Sequence, residues 1–591
     1  MLFSSLWSTT CLLISSVLTE HVNVKPYVID PKTNTTYTGI TSSTGVETFQ
    51  GIRYGLDTSG EGRFAPPRAF IPSPGYHYNA TVEGSSCPQP AGWGFLFQTN
   101  TTDISEDCLN LNLARPAWAK AGSKLPVMVY IFGGGYFTGT VNERTTAPDG
   151  LIHASVAGGE PVIYVGINYR LNIFGFAASE ALRPNKSLNV ALKDQRLALE
   201  WIQENIELFG GDKDKVTLFG QSSGGLSIGM QILAYGGVKP VPFHAAVMGS
   251  GSLEPSMASN ISFNSTAGVA ALAGCNTTDY QSSTVITCLR SLSMETLLNL
   301  AVDQQVDSYT NNDGDIYLPT VDQDFLPLKA SELLAQGKFA KVPLMAGWME
   351  DDATFFTFTT IETATDTKDF ISLYYKDLNT TTLTDLLDLY PISEFPANPS
   401  ANLSAEFYRS AQILRDILLT CPSVIFTQAM ARKYNTTNPP TYLYAVNQTI
   451  LGPYLDATDE PGLGVIHTSE LPYLFNNIDL FNITDLEIPG YSFEPTASDY
   501  ALANSMPMSW ISFGKYGDPG RGRGNGSMGG WTSAWPSGGS EAEIFLIGGG
   551  NAGMSGVARE GENGNGGLVG ERLAERCGFL GRKDVVEQLM Y

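Results

Sequence analysis

The stretch Gly220-Gln221-Ser222-Ser223-Gly224 constrains this chain more than any other of its length. It follows the apolar run Val216-Thr217-Leu218-Phe219 and precedes Leu226, Ile228, Met230, Ile232 and Leu233, which can continue as a buried helix. A strand that turns sharply into a helix pushes the residue at the corner out of the sheet. Glycines two positions either side are needed there because side chains would collide with the flanking elements. The pattern alone decides little: with 61 glycines in 591 residues a chance match is expected, and Gly225-Leu226-Ser227-Ile228-Gly229 is a second match. Context separates the two. Ser227 would lie more than one turn into the helix with no strand before it, so it reads as a packing residue and Ser222 as the candidate nucleophile.

The runs around this corner predict an α/β fold. Val127–Phe132, Val162–Tyr169, Val216–Phe219, Ala245–Met248, Val342–Ala346 and Thr441–Ala445 read as buried strands, and Ala191–Phe209 reads as a helix. Strands alternating with helices imply a mostly parallel sheet covered on both faces. The length permits several domains or one large α/β domain. Two Gly-rich segments, Gly517–Gly539 and Gly548–Gly567, are expected to be exposed, mobile loops. A short helix carrying Cys577 is expected from about Leu568 to the end.

A composition of 43% hydrophobic and 16% charged residues can bury a large core. The net charge of −24 argues against nucleic acid, whose phosphates must be met by Lys and Arg, and disfavours anionic membrane surfaces. Residues 1–19 are apolar and small-residue rich, with Leu12-Leu13-Ile14 at their centre, and read as a secretory signal too short to anchor in a membrane. Asn-x-Ser/Thr acceptors at Asn34, Asn79, Asn100, Asn185, Asn260, Asn264, Asn276, Asn379, Asn402, Asn435, Asn447, Asn482 and Asn525 agree with secretion. Loss of Cys11 with the signal turns seven cysteines into six, an even count that suits an oxidising compartment. The close pairs Cys87/Cys108 and Cys275/Cys288 are natural short loops, which leaves Cys421 with Cys577, although the count itself permits other connectivities. No spacing suggests zinc, and no metal or cofactor is expected.

Acyl transfer from an ester needs a nucleophile, a base, an orienting acid and donors for the developing oxyanion. Of five histidines, only His467 follows Ser222 with room for an acid between, as the order Ser, acid, His requires. It sits in Gly462-Leu463-Gly464-Val465-Ile466-His467, a lead-in that can aim the ring. Glu350, Asp351 and Asp352 follow the strand Val342–Ala346, where an orienting acid belongs. Asp352 is favoured because it leads directly back into apolar sequence, with Asp351 second. The triple glycine Gly133-Gly134-Gly135 follows another strand, so the N–H groups of Gly134, Gly135 and Ser223 are the expected oxyanion donors.

These stretches together resemble the type-B carboxylesterase/lipase family, which includes cholinesterases and secreted fungal lipases. Matching segments run in family order: Phe49–Tyr54, Arg63–Pro67, Glu106–Asn112, Gly133–Gly135, Asn168–Leu171, Phe209–Asp212, Gly220–Gly225, Ser250–Ser252, Gly347–Asp352 and His467–Phe475. The resemblance implies the α/β-hydrolase fold, one catalytic domain over 20–591, a triad of Ser222, Asp352 and His467, and the bridges Cys87–Cys108, Cys275–Cys288 and Cys421–Cys577. It also implies a secreted serine hydrolase acting on small-molecule or lipid esters, the alternatives being a long-chain acylglycerol lipase or a non-catalytic adhesion homologue. Three departures stand out. The residue before the nucleophile is usually Glu and is Gln221 here, the one after is usually Ala and is Ser223, and the acid is more often Glu than Asp. Gln221 lacks the charge that a cationic substrate would use, which argues against a choline ester. The Cys87–Cys108 loop, with Trp93, Phe95 and Phe97, is short for a lipase lid and reads as a gorge wall favouring soluble esters. Phe132, Tyr136, Phe137, Trp348, Phe355 and Phe356 could line an apolar pocket or belong to the core.

Overall fold

The computed structural model describes residues 25–92, 101–275, 278–308, 314–434, 440–481, 493–522, 526–536, 542–550, 552–556, 568 and 571–591. The expected signal segment 1–19, His21, Trp93, Phe95, Phe97, most of the second Gly-rich segment and the candidate glycosylation sites Asn100, Asn276, Asn435, Asn482 and Asn525 lie outside them.

One large sheet organises the chain. In chain order its strands are β1 (Ile40–Thr41), β2 (Val46–Arg53), β3 (Asn110–Pro116), β4 (Leu125–Ile131), β5 (Ile163–Ile167), β6 (Gly211–Gln221), β7 (Ala245–Gly249), β8 (Leu344–Met349), β9 (Thr441–Val446), β10 (Glu543–Ile547) and β11 (Gly553–Gly556). Across the sheet they lie in the order β11-β10-β9-β8-β7-β6-β4-β5-β3-β2-β1. Strands from β10 to β5 run parallel, and the pairs at both edges are antiparallel. Strands β4, β5, β7 and β8 are buried at every position and β6 is buried from Val216 to Gln221, as their continuous apolar runs predict for a sheet covered on both faces. A separate three-stranded sheet of Tyr27–Asp30, Thr35–Thr38 and His77–Asn79 lies outside the apolar-run prediction, because its strands are short and half polar.

The register brings the functional loops level. Gln221 pairs with Gly249, Gly249 with Gly347, and Gly347 with Tyr444, so β6 and β7 end together at the carboxyl edge and β8 runs only to Met349 beyond them. Parallel strands place their outgoing loops on one rim, which is where open α/β sheets gather reactive groups.

Helices cover both faces. The α1 helix (Val190–Asn205) continues into a 3₁₀ turn at Ile206–Phe209, within the span predicted for one helix. Helix α2 (Ser223–Leu233) follows the β6 corner and is buried along its whole length. The run Ala405–Tyr434 is long and apolar enough to cross a membrane, but 78% of its apolar window is buried inside the protein. It consists of α3 (Ala405–Arg415), a π turn at Asp416–Thr420 and α4 (Cys421–Tyr434). Buried Arg415 at that turn donates from Nη1 to the Glu350 carbonyl at 2.6 Å, so the helix grips the loop after β8.

Three disulfides form: Cys87–Cys108, Cys275–Cys288 and Cys421–Cys577. The last joins α4 to α5 (Leu573–Leu580), and one more short helix, Lys583–Leu589, follows. Part of the first Gly-rich segment is packed, contrary to the expectation of an exposed loop. Trp531 stacks on Phe545 of β10 and Trp535 is buried, because two tryptophans inside a glycine-rich stretch carry enough apolar area to dock it.

Candidate active site

Ser222 takes φ 58° and ψ −131° at the corner between β6 and α2. A residue with a Cβ rarely adopts a positive φ, and holding one there costs about 1–3 kcal/mol that the surroundings must supply. Its N–H donates to the Gly249 carbonyl at 2.8 Å, and its own carbonyl accepts from Leu226 at 2.9 Å. The flanking glycines are dictated by the end of β4. A Cβ on Gly220 would stand 2.7 Å from the Ile131 carbonyl oxygen, and one on Gly224 would overlap that same oxygen. Ser227 is buried; it accepts from Gln195 at 2.9 Å and donates to the Tyr136 hydroxyl, which makes it a packing residue as predicted.

The triple glycine lies across this corner. A Cβ on Gly133 would be 2.8 Å from the Ser222 Cβ, and Gly134 and Gly135 take φ values of 110° and 60°. The loop turns back on itself through Phe137 and Thr138 N–H bonds to the Gly134 carbonyl, at 2.9 and 3.0 Å. The Gly134, Gly135 and Ser223 N–H groups find no acceptor among the described residues. Both ends of the loop are tied down. Tyr169 stacks on Phe132 at 4.4 Å and donates its hydroxyl to the Phe132 carbonyl at 2.7 Å. At the other end, the Tyr136 N–H donates to the Ser223 hydroxyl at 3.2 Å.

On the same rim, Asp352 and His467 meet. Nδ1 of His467 lies 2.6 Å from Oδ1 of Asp352, and both side chains are buried. The other carboxylate oxygen accepts from Ser250 Oγ at 2.7 Å and from the Met349 N–H at 2.8 Å, so the acid is fixed by three donors. The edge of the Phe356 ring packs on the imidazole with centroids 5.1 Å apart. Asp351 faces elsewhere: its Oδ2 accepts from the Val465 N–H at 2.9 Å, and burial pushes its carboxyl up. Of the two adjacent acids, Asp352 is therefore the one that touches the imidazole.

The far ring nitrogen, Nε2 of His467, is met at 2.9 Å by Nε2 of Gln221, the residue immediately before Ser222. Glu470 lies within electrostatic reach of Asp352, fully buried and pushed up to about 8, first by burial and then by the charge of Asp352. Its Oε2 has no hydrogen-bond partner among the described residues, which further disfavours the charged form. Glu350, at the loop's outer end, is pushed up to about 7 by burial and by Asp351 and Glu571.

Ser250, Tyr169 and Glu470 are the site residues that sequence reasoning did not single out. Glu470 sits three positions after His467, and Ser250 directly follows β7. Those positions are the available signals, and neither specifies a contact. The remaining histidines stand apart. His77 contacts Thr38, His244 contacts the Val216 and Gly514 carbonyls, and His153 is exposed. Of the candidate pocket aromatics, Phe132, Tyr136, Phe137 and Trp348 are core residues; Phe355 and Phe356 are half-buried. No group of three or more His, Cys, Asp or Glu side chains among the described residues is arranged to hold a metal.

A secreted lipase of Arthroderma benhamiae is 41% identical to this chain over 567 residues, which cover 96% of each. The inactive carboxylesterase-like protein VdtD of Byssochlamys spectabilis is 37% identical over 569 residues, 94% of each. The crystal structure of Aspergillus niger EstA matches with a TM-score of 0.74 at 24% identity, covering 96% of this chain and all of that one, a likeness in fold. The model of the carboxylesterase family matches residues 34–552, so the chain belongs to that family: a carboxylic ester hydrolase on an α/β-hydrolase sheet.

Proposed function

We propose that the protein is a secreted serine hydrolase that cleaves carboxylic esters through an acyl-enzyme, with Ser222 as nucleophile, His467 as base and Asp352 as orienting acid. The observation that carries this reading is the buried 2.6 Å contact between His467 and Asp352 on the rim where Ser222 is held at a positive φ. Ser222 Oγ attacks the ester carbonyl and gives its proton to Nε2 of His467. Asp352 keeps the other ring proton on Nδ1 and stabilises the imidazolium without taking that proton. The negative charge on the carbonyl oxygen is met by the N–H groups of Gly134, Gly135 and Ser223, each worth about 3 kcal/mol in the transition state. The imidazolium protonates the departing alcohol, and a water activated by the same ring then releases the acid.

The mature chain is read as one catalytic domain over 20–591, entering the secretory route on residues 1–19. A relative named as secreted supports this, and so does the set of three disulfides. Glycosylation is proposed at the exposed acceptors Asn34, Asn79, Asn185, Asn260, Asn264, Asn379 and Asn402. Soluble esters are the preferred substrates on the argument of the short Cys87–Cys108 loop. A second reading, hydrolysis of long-chain acylglycerols, is favoured by the name of the 41% identical relative.

Ser222→Ala tests the mechanism. Turnover and covalent labelling by a serine-directed phosphonate should both vanish, and labelling that survives refutes the assignment. Graded acyl chain lengths separate the two substrate readings: a jump in rate at the micellar threshold of a long-chain ester favours the lipase.

A further inference from the structure

The reading of Ser222 and His467 leaves one contact unaccounted for, and the inference drawn from it rests on that reading. The Nδ1–H of His467 is committed to Asp352, so Nε2 carries the lone pair that must receive the serine proton. That lone pair is the one facing the Gln221 amide nitrogen at 2.9 Å. The amide oxygen of Gln221 points the other way, 3.1 Å from where a Cβ on Gly133 would stand. An amide N–H can donate to neutral imidazole and cannot donate to imidazolium, which has no lone pair left. A carboxylate in the same place would do the reverse, accepting a proton from imidazolium and offering nothing to the neutral ring.

We propose that Gln221 is a positioning residue that holds His467 in its neutral, proton-accepting form and thereby extends the activity toward acid pH. The residue occupies the end of β6, where the register with Gly249 leaves it little freedom, and it is buried. The amide yields the lone pair when the serine hydroxyl is engaged by substrate, so it acts on the resting base and takes no part in bond making.

Among the ionisable groups, Asp352 faces the ring; Asp351 and Glu350 share its loop after β8, with Asp351 turned to Val465 and Arg415 of α3 bound to the Glu350 carbonyl. Glu470 comes from the histidine's own segment, and Tyr444 of β9 lies beside it with its phenol raised by burial. Glu470 stays protonated below about 8 and adds no charge across the acid range. Glu350, at about 7, changes charge inside that range, but it is common to every chain compared and cancels from the difference.

The test is the pH profile of kcat/KM on a soluble ester, from roughly pH 5 to 9, for the parent, Gln221→Glu and Gln221→Met. The rate of phosphonate labelling, followed over the same range, reads the base without substrate binding. Gln221→Met keeps the length and removes the donor, and its acid limb should move up by about half a pH unit. Gln221→Glu adds a charge that favours imidazolium, and its limb should move up by about one unit or more. A role confined to packing would lower the rate equally at all pH values and leave the limb in place. A Gln221→Met limb that coincides with the parent's overturns the proposal whatever the Glu variant does, since charge alone would then suffice. Failure of this inference is distinct from failure of the mechanism, which would appear as activity retained in Ser222→Ala.

Discussion

Asp351 and Val465 exchange hydrogen bonds: the Asp351 N–H donates to the Val465 carbonyl at 3.1 Å, and the Val465 N–H donates to Asp351 Oδ2 at 2.9 Å. Thr354 Oγ1 adds a bond to the Leu463 carbonyl at 2.6 Å. The loop that carries the acid and the segment leading into the imidazole are thus zipped together beside the Asp352–His467 contact. The second acid of the sequence has a task of its own, which is to set the distance between the two loops.

That relationship yields a pair of contrasting variants. Asp351→Ala removes the side-chain acceptor for the Val465 N–H and should lower kcat/KM about 10-fold, since small misplacements of a base are costly. Asp351→Asn keeps an acceptor oxygen and should stay within about 2-fold of the parent. Steady-state kinetics on one soluble ester checks both, and equal losses in the two variants would contradict the zipper.

Tyr169 holds the start of the glycine loop through the Phe132 carbonyl. Tyr169→Phe keeps the ring stack on Phe132 and deletes the hydroxyl. The proposed oxyanion donors then lose one anchor, and kcat should fall about 10-fold with KM little changed, the pattern of an interaction felt in the transition state. A rise in KM at constant kcat would place Tyr169 in substrate binding.

Glu470 makes stability depend on pH in a definite direction. Its carboxyl ordinarily titrates near 4.5 and is pushed up to about 8 in the folded protein, burial being the main cause. Between those values the native state keeps a proton that the unfolded chain has released, so stability declines as pH rises from about 4.5 to 8 and levels off above. Glu470→Gln should flatten that decline and gain on the order of a few kcal/mol relative to the parent at pH 8. Glu350, shifted the same way to about 7, leaves a smaller slope in the variant. Urea titrations at several pH values measure the difference, and parallel curves for the two chains would refute the shift.

The Cys421–Cys577 bridge spans 156 positions and ties α5 to α4. By the loop-entropy argument its loss should cost about 3–5 kcal/mol. Thermal unfolding of a Cys421→Ala/Cys577→Ala double variant checks this, and an unchanged midpoint would show that α5 docks without it.

Local sequence alone determined the α/β class, the corner at Ser222 and its glycines. A strand, a sharp turn and a buried helix leave their marks within a dozen residues, and steric demand at the turn leaves little choice but glycine. Chain order and elimination pointed to His467, because few histidines compete. The contact between Asp352 and the ring, the diversion of Asp351 to Val465, the burial of Glu470 and the meeting of Gln221 with Nε2 belong to the tertiary structure. Each joins segments that lie far apart in the chain, on loops brought level only by the register of β6, β7 and β8. Periodicity reports which face of an element is buried; it carries no information about which distant carboxylate or amide will stand opposite, since that is set by how the strands align and by which side chains the packed rim leaves room for.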